Sequence, residues 1–164
     1  MDTLKQLRDE LTFEYTVTKK FFDNYPEKNN NYAPHEKSMK MIDLVTHIAS
    51  IFGWPVVMLD TSELDISEAD QTEKVENKMQ LKALLEKEYK ASISALEVAA
   101  ESDLEPRWGL TMKGEKLMEW TKYGAIRHAL DQITHHRAQL GVYYRLLDIP
   151  VPASYGPSAD DQNF

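Results

Sequence analysis

Gln132-Ile133-Thr134-His135-His136-Arg137-Ala138-Gln139-Leu140-Gly141-Val142-Tyr143 places apolar side chains at Ile133, Leu140 and Tyr143. Those intervals return to one face of an α-helix and to no single face of a strand. His136 falls three residues after Ile133 and four before Leu140, so an imidazole rides on the apolar face. The helix that carries it is expected to run from about Glu115 to Leu147. Beyond it, Ile149-Pro150-Val151-Pro152 favours an extended tail, because proline lacks the N–H that a helix needs.

Three further segments share the period, and none shows sustained strand alternation. The first, from about Thr3 to Phe22, carries Leu4, Leu7, Leu11, Tyr15 and Phe22 and ends at Asp23-Asn24-Tyr25-Pro26. A polar, Asn-rich loop from Pro26 to Lys37 follows, and Ser38 is a plausible N-cap for a second helix. That helix carries Met41, Leu44, Val45, Ile48, Ile51 and Phe52, and Gly53-Trp54-Pro55 should kink or break it. Asp60 to Asp70 reads as an acidic turn, and a third helix is expected from about Gln71 to Ala100. Glu101 to Gly114 reads as a loop holding Trp108. Four amphipathic helices cannot bury their stripes alone, so the expected fold is all-α, an antiparallel four-helix bundle in one domain spanning 1–164, with residues 148–164 as its tail.

Charge and composition narrow the function. Among 164 residues, 19 are basic and 27 acidic, a formal net charge of −8, and no Lys/Arg-rich run interrupts the negative field. A phosphate backbone is repelled by it, so no nucleic-acid partner is expected. Cysteine is absent, which removes disulfide frameworks, thiol nucleophiles and Cys-based zinc sites. The N-terminus turns polar at once, and the apolar stretch Ile48 to Leu59 is too short and interrupted to span a bilayer. A cytoplasmic protein without a membrane partner is the expectation. No phosphate-binding glycine loop and no Gly-x-Ser-x-Gly elbow occurs.

The chemistry therefore rests on the histidines. His47 follows Leu44 by three and precedes Ile51 by four, so it should point inward, as His136 should. Each is either a hydrogen-bonded core histidine or, if the helices face each other, a ligand to a shared ion. Gln132 lies one turn before His136 on the same face, where a ligand pair would normally read His-x-x-x-His. Its amide oxygen is a weak ligand for zinc or nickel. Asp43 and Asp131 stand close enough in sequence to orient the imidazoles, or are exposed helix charges, and His135 is placed in packing or in support. His128, two turns before His136 and off its face, is not expected to share an ion with it. His35 should be exposed in its loop.

The run His135-His136-Arg137-Ala138-Gln139-Leu140, then Val142-Tyr143-Tyr144-Arg145-Leu146-Leu147, Ile149-Pro150-Val151-Pro152 and Tyr155-Gly156-Pro157-Ser158-Ala159-Asp160 resembles the C-terminal signature of the DinB family, the DinB/YfiT-like proteins. Leu44-Val45-Thr46-His47-Ile48 is similar to the family's second-helix motif. The resemblance implies an up-up-down-down four-helix bundle, often dimeric, with a divalent metal, commonly nickel or zinc, on three histidines. Carried over, His47 is the helix-two ligand and His136 the second ligand of helix four, while the first falls on Gln132, a departure at one ligand in three. Some relatives transfer low-molecular-weight thiols such as bacillithiol or mycothiol, and many have no known activity.

Two functions follow. One is a metal-dependent enzyme acting on a small molecule, a hydrolase or thiol transferase. The other is a non-catalytic bundle with a structural or interaction role, favoured by Gln132. A homodimer is expected, from the resemblance and because Trp54, Trp108 and Trp120 exceed what one small core requires.

Overall fold

The computed structural model describes residues 2–67 and 75–163. It contains five helices, α1 (Thr3–Asp23), α2 (Met41–Ile51), α3 (Trp54–Asp60), α4 (Lys78–Val98) and α5 (Lys122–Leu146). A small sheet joins them, made of β1 (Glu63–Asp65), β2 (Arg107–Met112) and β3 (Glu115–Thr121) in the order β1-β2-β3. The protein is therefore mostly helical, and not the pure four-helix bundle that the periodicity suggests.

The helices bury the stripes that their spacing marks out. α1 begins at Asp2, whose carboxylate accepts from the Lys5 N–H, and inters Leu4, Leu7, Leu11, Val17, Phe21 and Phe22. α1 packs on α4 and α5, and α2 packs on the same two, which sets α1 and α2 diagonally across the core. The third long segment starts at Lys78, where the Asn77 side chain accepts from the Gln80 N–H. Of its expected beginning, 71–74 lie outside the described residues.

Two expectations need correction, and a third, the break after α2, is met. Ser38 caps nothing: its N–H bonds to the His35 carbonyl, and α2 opens at Met41 without a side-chain cap. The chain does break at Gly53, but it resumes as α3, bent by 44° from α2, with Pro55 in the first turn where its missing N–H costs nothing. A Cβ at Gly53 would overlap the Glu88 carboxylate, so glycine lets α4 approach the bend. Ser92 of α4 donates to the Phe52 carbonyl at 2.6 Å, satisfying an acceptor that the bend frees.

The other correction matters most for function. Residues 115–121 are not the first turns of the last helix but the second strand of a hairpin. Lys113 and Gly114 both have positive φ, at 51° and 79°, the backbone of a two-residue turn whose twist matches paired strands. The Asp65 carboxylate accepts from the backbone N–H groups of Lys113 (3.1 Å), Gly114 (3.0 Å) and Ser67 (2.9 Å). These bonds and the Ser67 hydroxyl hold that carboxyl well below the usual carboxylate range. β1 runs parallel to β2, and β2 antiparallel to β3, with an irregularity between Leu110 and Thr111. Trp108, expected in a loop, is only 2% exposed on β2. Among the described residues no single helix is long and apolar enough to cross a membrane.

Candidate functional site

α2 and α5 lie side by side, and this contact brings the two inward histidines together. The rings of His47 and His136 stand edge to face with centroids 4.6 Å apart. His47 also meets Trp54 edge to face at 5.7 Å. Burial, and then the neighbouring His136, lower the His47 imidazole to about 4. Burial lowers His136 as well, against a Gln139 hydrogen bond that raises it, and His135 adds to the lowering. Both rings are therefore neutral near pH 7, the state in which imidazole offers a lone pair.

The orienting partner of His136 is Gln139, which the sequence reading missed. Its Oε1 lies 3.1 Å from His136 Nδ1, and its Nε2 lies 3.0 Å from His135 Nε2. An amide oxygen only accepts and an amide nitrogen only donates, so the bonds assign the proton of His136 to Nδ1 and leave the Nε2 lone pair free. Spacing carried the signal: Gln139 follows His135 by four and His136 by three. His135 is exposed and supports His136 through this amide and through ring contact at 4.9 Å. Asp131 is exposed and pairs with Arg127 at 3.3 Å. Asp43 is exposed, and its charge acts on the Tyr25 hydroxyl.

Gln132 and His47 share the wall of a cavity of ≈ 400 Å³. His128, one turn before Gln132 on α5, lines it too, whereas His136 is not among the lining residues. The hairpin and β1 close the far side with Trp108, Trp120, Leu64 and Leu110. Trp120 is stacked between Trp108 (6.4 Å) and His128 (4.9 Å), each pair tilted by 26°. Trp108 spends its indole N–H on the Thr61 hydroxyl at 3.0 Å. Among the described residues no three His, Asp or Glu side chains converge as a metal would need. The donor set is therefore two neutral imidazoles with the Gln132 amide as the third candidate. It fits a divalent ion with an incomplete protein shell.

Behind the histidines lies a network that the apolar stripes conceal. Glu14 and Arg137 are 3% and 2% exposed, and Arg137 Nη1 sits 2.6 Å from Glu14 Oε2. That contact is off the axis of a hydrogen bond, so Oε2 is held by charge alone. Arg137 also donates to the Thr18 hydroxyl (3.1 Å) and the Glu14 carbonyl (3.3 Å). Its Nη2 donates at 3.0 Å to the Tyr155 hydroxyl, which donates in turn to Glu14 Oε1. Asp160 receives Arg145 Nη2 at 2.6 Å and the Val151 N–H at 2.9 Å. The Arg137, Tyr155 and Asp160 positions of the C-terminal run thus lash the tail to α1 and α5. Helical spacing marked both buried charges: Glu14 follows Leu11 by three, and Arg137 stands between Ile133 and Leu140.

Comparison with known proteins agrees with this architecture. A DinB-like protein from Bacillus subtilis is 21% identical, with a TM-score of 0.70 over 96% of this chain and 99% of that one. A DinB-like protein from Bacillus cereus gives 14% identity and a TM-score of 0.71, covering 92% of this chain and 97% of that one. A protein assigned to the DinB family from Exiguobacterium sibiricum gives 14% and 0.69, covering 90% and 93%. At these identities the likeness is one of fold. No curated protein matches the sequence. The DinB family's sequence model matches residues 1–163, nearly the whole length, and this chain belongs to the DinB family.

Proposed function

We propose that the protein is a metal-dependent enzyme acting on a small molecule, its ion held by His47 and His136. The observation that carries the reading is the pair of neutral imidazoles at 4.6 Å on neighbouring helices, one of them lining a cavity. A bound divalent ion supplies Lewis acidity, which favours the ionised form of a water or thiol. The residues of the chain do the rest. Gln139 fixes the His136 ring through Nδ1, which leaves Nε2 as the free lone pair. Gln132 offers its amide oxygen as a weak third donor, or hydrogen-bonds a group that occupies that place. The apolar walls exclude water, which strengthens each electrostatic contact inside.

Nickel or zinc titration calorimetry on tag-free, EDTA-stripped protein tests the proposal. Saturable binding is expected, and His47→Ala or His136→Ala should each abolish it. Binding that survives both substitutions, or that is absent from the starting protein, overturns the metal reading.

Gln132, together with the failure of three His, Asp or Glu side chains to converge among the described residues, favours a second reading, a non-catalytic bundle with a structural role. Absence of both metal and small-molecule binding would select it. A homodimer belongs to the same proposal. All three tryptophans line the chain's own cavity, so they are no longer a reason for it. Support comes instead from Leu117 and Met118, 45% and 47% exposed on the outer strand β3. Light scattering over a range of concentrations decides, and a monomer mass throughout refutes the dimer.

A further inference from the structure

Every tryptophan of the chain, Trp54, Trp108 and Trp120, faces one cavity. Two come from the hairpin, which the sequence reading took for loop and helix, so the chamber exists only because that segment folds back as a sheet. The rest of the wall is aliphatic or aromatic, apart from Ser50, His47, His128 and Gln132. Among the described residues not one Lys, Arg, Asp or Glu lines it. One of the polar groups is already committed: Ser50 donates to the Thr46 carbonyl at 2.9 Å. His128 stacks on Trp120 through its ring face, a contact that does not use its ring nitrogens. What remains to meet a ligand is an aromatic surface and the polar edge that His47 and Gln132 form beside the His128 nitrogens.

We propose that this cavity binds an uncharged, flat, largely apolar small molecule, its single polar atom directed at the His47–Gln132 edge. The inference rests on the small-molecule reading of the same site and names the class of molecule. The physical argument is one of exclusion and fit. In the metal-free protein a carboxylate or phosphate brought between these walls would lose its hydration and meet no Lys or Arg among the described residues. An aromatic ring loses little hydration and packs against the indole and aliphatic side chains of the wall. The volume, ≈ 400 Å³, lies at the lower end of small-molecule pockets, so it admits one or two fused rings rather than a long chain or a nucleotide.

The test uses 2-naphthalenemethanol and 2-naphthoate, matched in shape and differing in charge. Each is titrated into full-length protein in EDTA at pH 7.5, with the three indole N–H resonances followed by NMR. We expect the alcohol to shift all three signals saturably and to bind at least tenfold more tightly than the carboxylate. Leu110→Arg, which puts bulk and charge into the wall, should weaken alcohol binding at least tenfold. Ile66→Arg changes a residue 40% exposed at the edge of the cavity, so it should fold normally, and it should narrow the preference by improving carboxylate binding. Equal binding of the two probes, or indole signals that neither probe moves, overturns the inference. Because metal is absent from this titration, the two readings fail separately. A protein that takes the alcohol but no nickel keeps the cavity assignment and loses the metal one. A protein that takes nickel but neither probe does the reverse.

Discussion

Replacing Arg137 with leucine strands the Glu14 carboxylate, 3% exposed, with the Tyr155 hydroxyl as its only hydrogen-bond donor among the described residues. Breaking a buried pair from one side costs about 3–5 kcal/mol, because the surviving charge keeps its desolvation penalty and loses its partner. For a domain of this size each kcal/mol lowers Tm by about 2–4 °C, so Arg137→Leu should melt roughly 6–20 °C below the parent. Glu14→Leu strands the guanidinium instead, though Thr18 and the Glu14 carbonyl still receive it, so its loss should be the smaller. The double variant buries two aliphatic side chains and no charge. Its loss should be below that of Arg137→Leu alone, limited chiefly to the two hydrogen bonds that Tyr155 loses, about 1 kcal/mol each. Urea denaturation of the four proteins closes the double-mutant cycle. A double variant as unstable as the two single losses combined would falsify the account, since independent contributions leave no coupling between the charges.

Three further outcomes are expected. Gln132→His adds an imidazole one turn before His136, so nickel or zinc affinity should rise at least tenfold, about 1.4 kcal/mol, by calorimetry; unchanged affinity would show that position 132 does not face the ion. In metal-free protein, NMR should find His47 neutral down to about pH 4. Its folded value lies below the unfolded one of 6.5, so the unfolded chain binds the extra proton between them. Stability should then be intact above pH 6.5 and fall as pH drops toward 4, and a His47→Phe protein with the same pH slope would refute the assignment. Gly114→Val forces a β-branched residue into φ of +79°, and by thermal melting it should cost about 1–2 kcal/mol through backbone strain, since no atom lies close enough to clash; no loss would mean that the turn rearranges freely.

Periodicity alone determined the four long helices, because a stripe recurring every three to four residues has one cheap way to be buried. It also placed His47 and His136 on inward faces and marked the break at Gly53. The hairpin was not legible. Glu115 to Thr121 is polar and mostly exposed, so its strand state comes from the Lys113-Gly114 turn and the grip of Asp65, forty-eight residues earlier, on that turn. Local pattern carries no trace of a partner that distant. The same holds for the cavity, whose three tryptophans are scattered along the chain and meet only once β2 and β3 fold over α3 and α5. His128 shows the point at one residue: it lies off the face of His136, yet it joins the cavity wall, where Trp120 of β3 stacks on it. Amphipathic spacing decides which surfaces must be buried, and only the tertiary structure decides which of them meet and leave a space between.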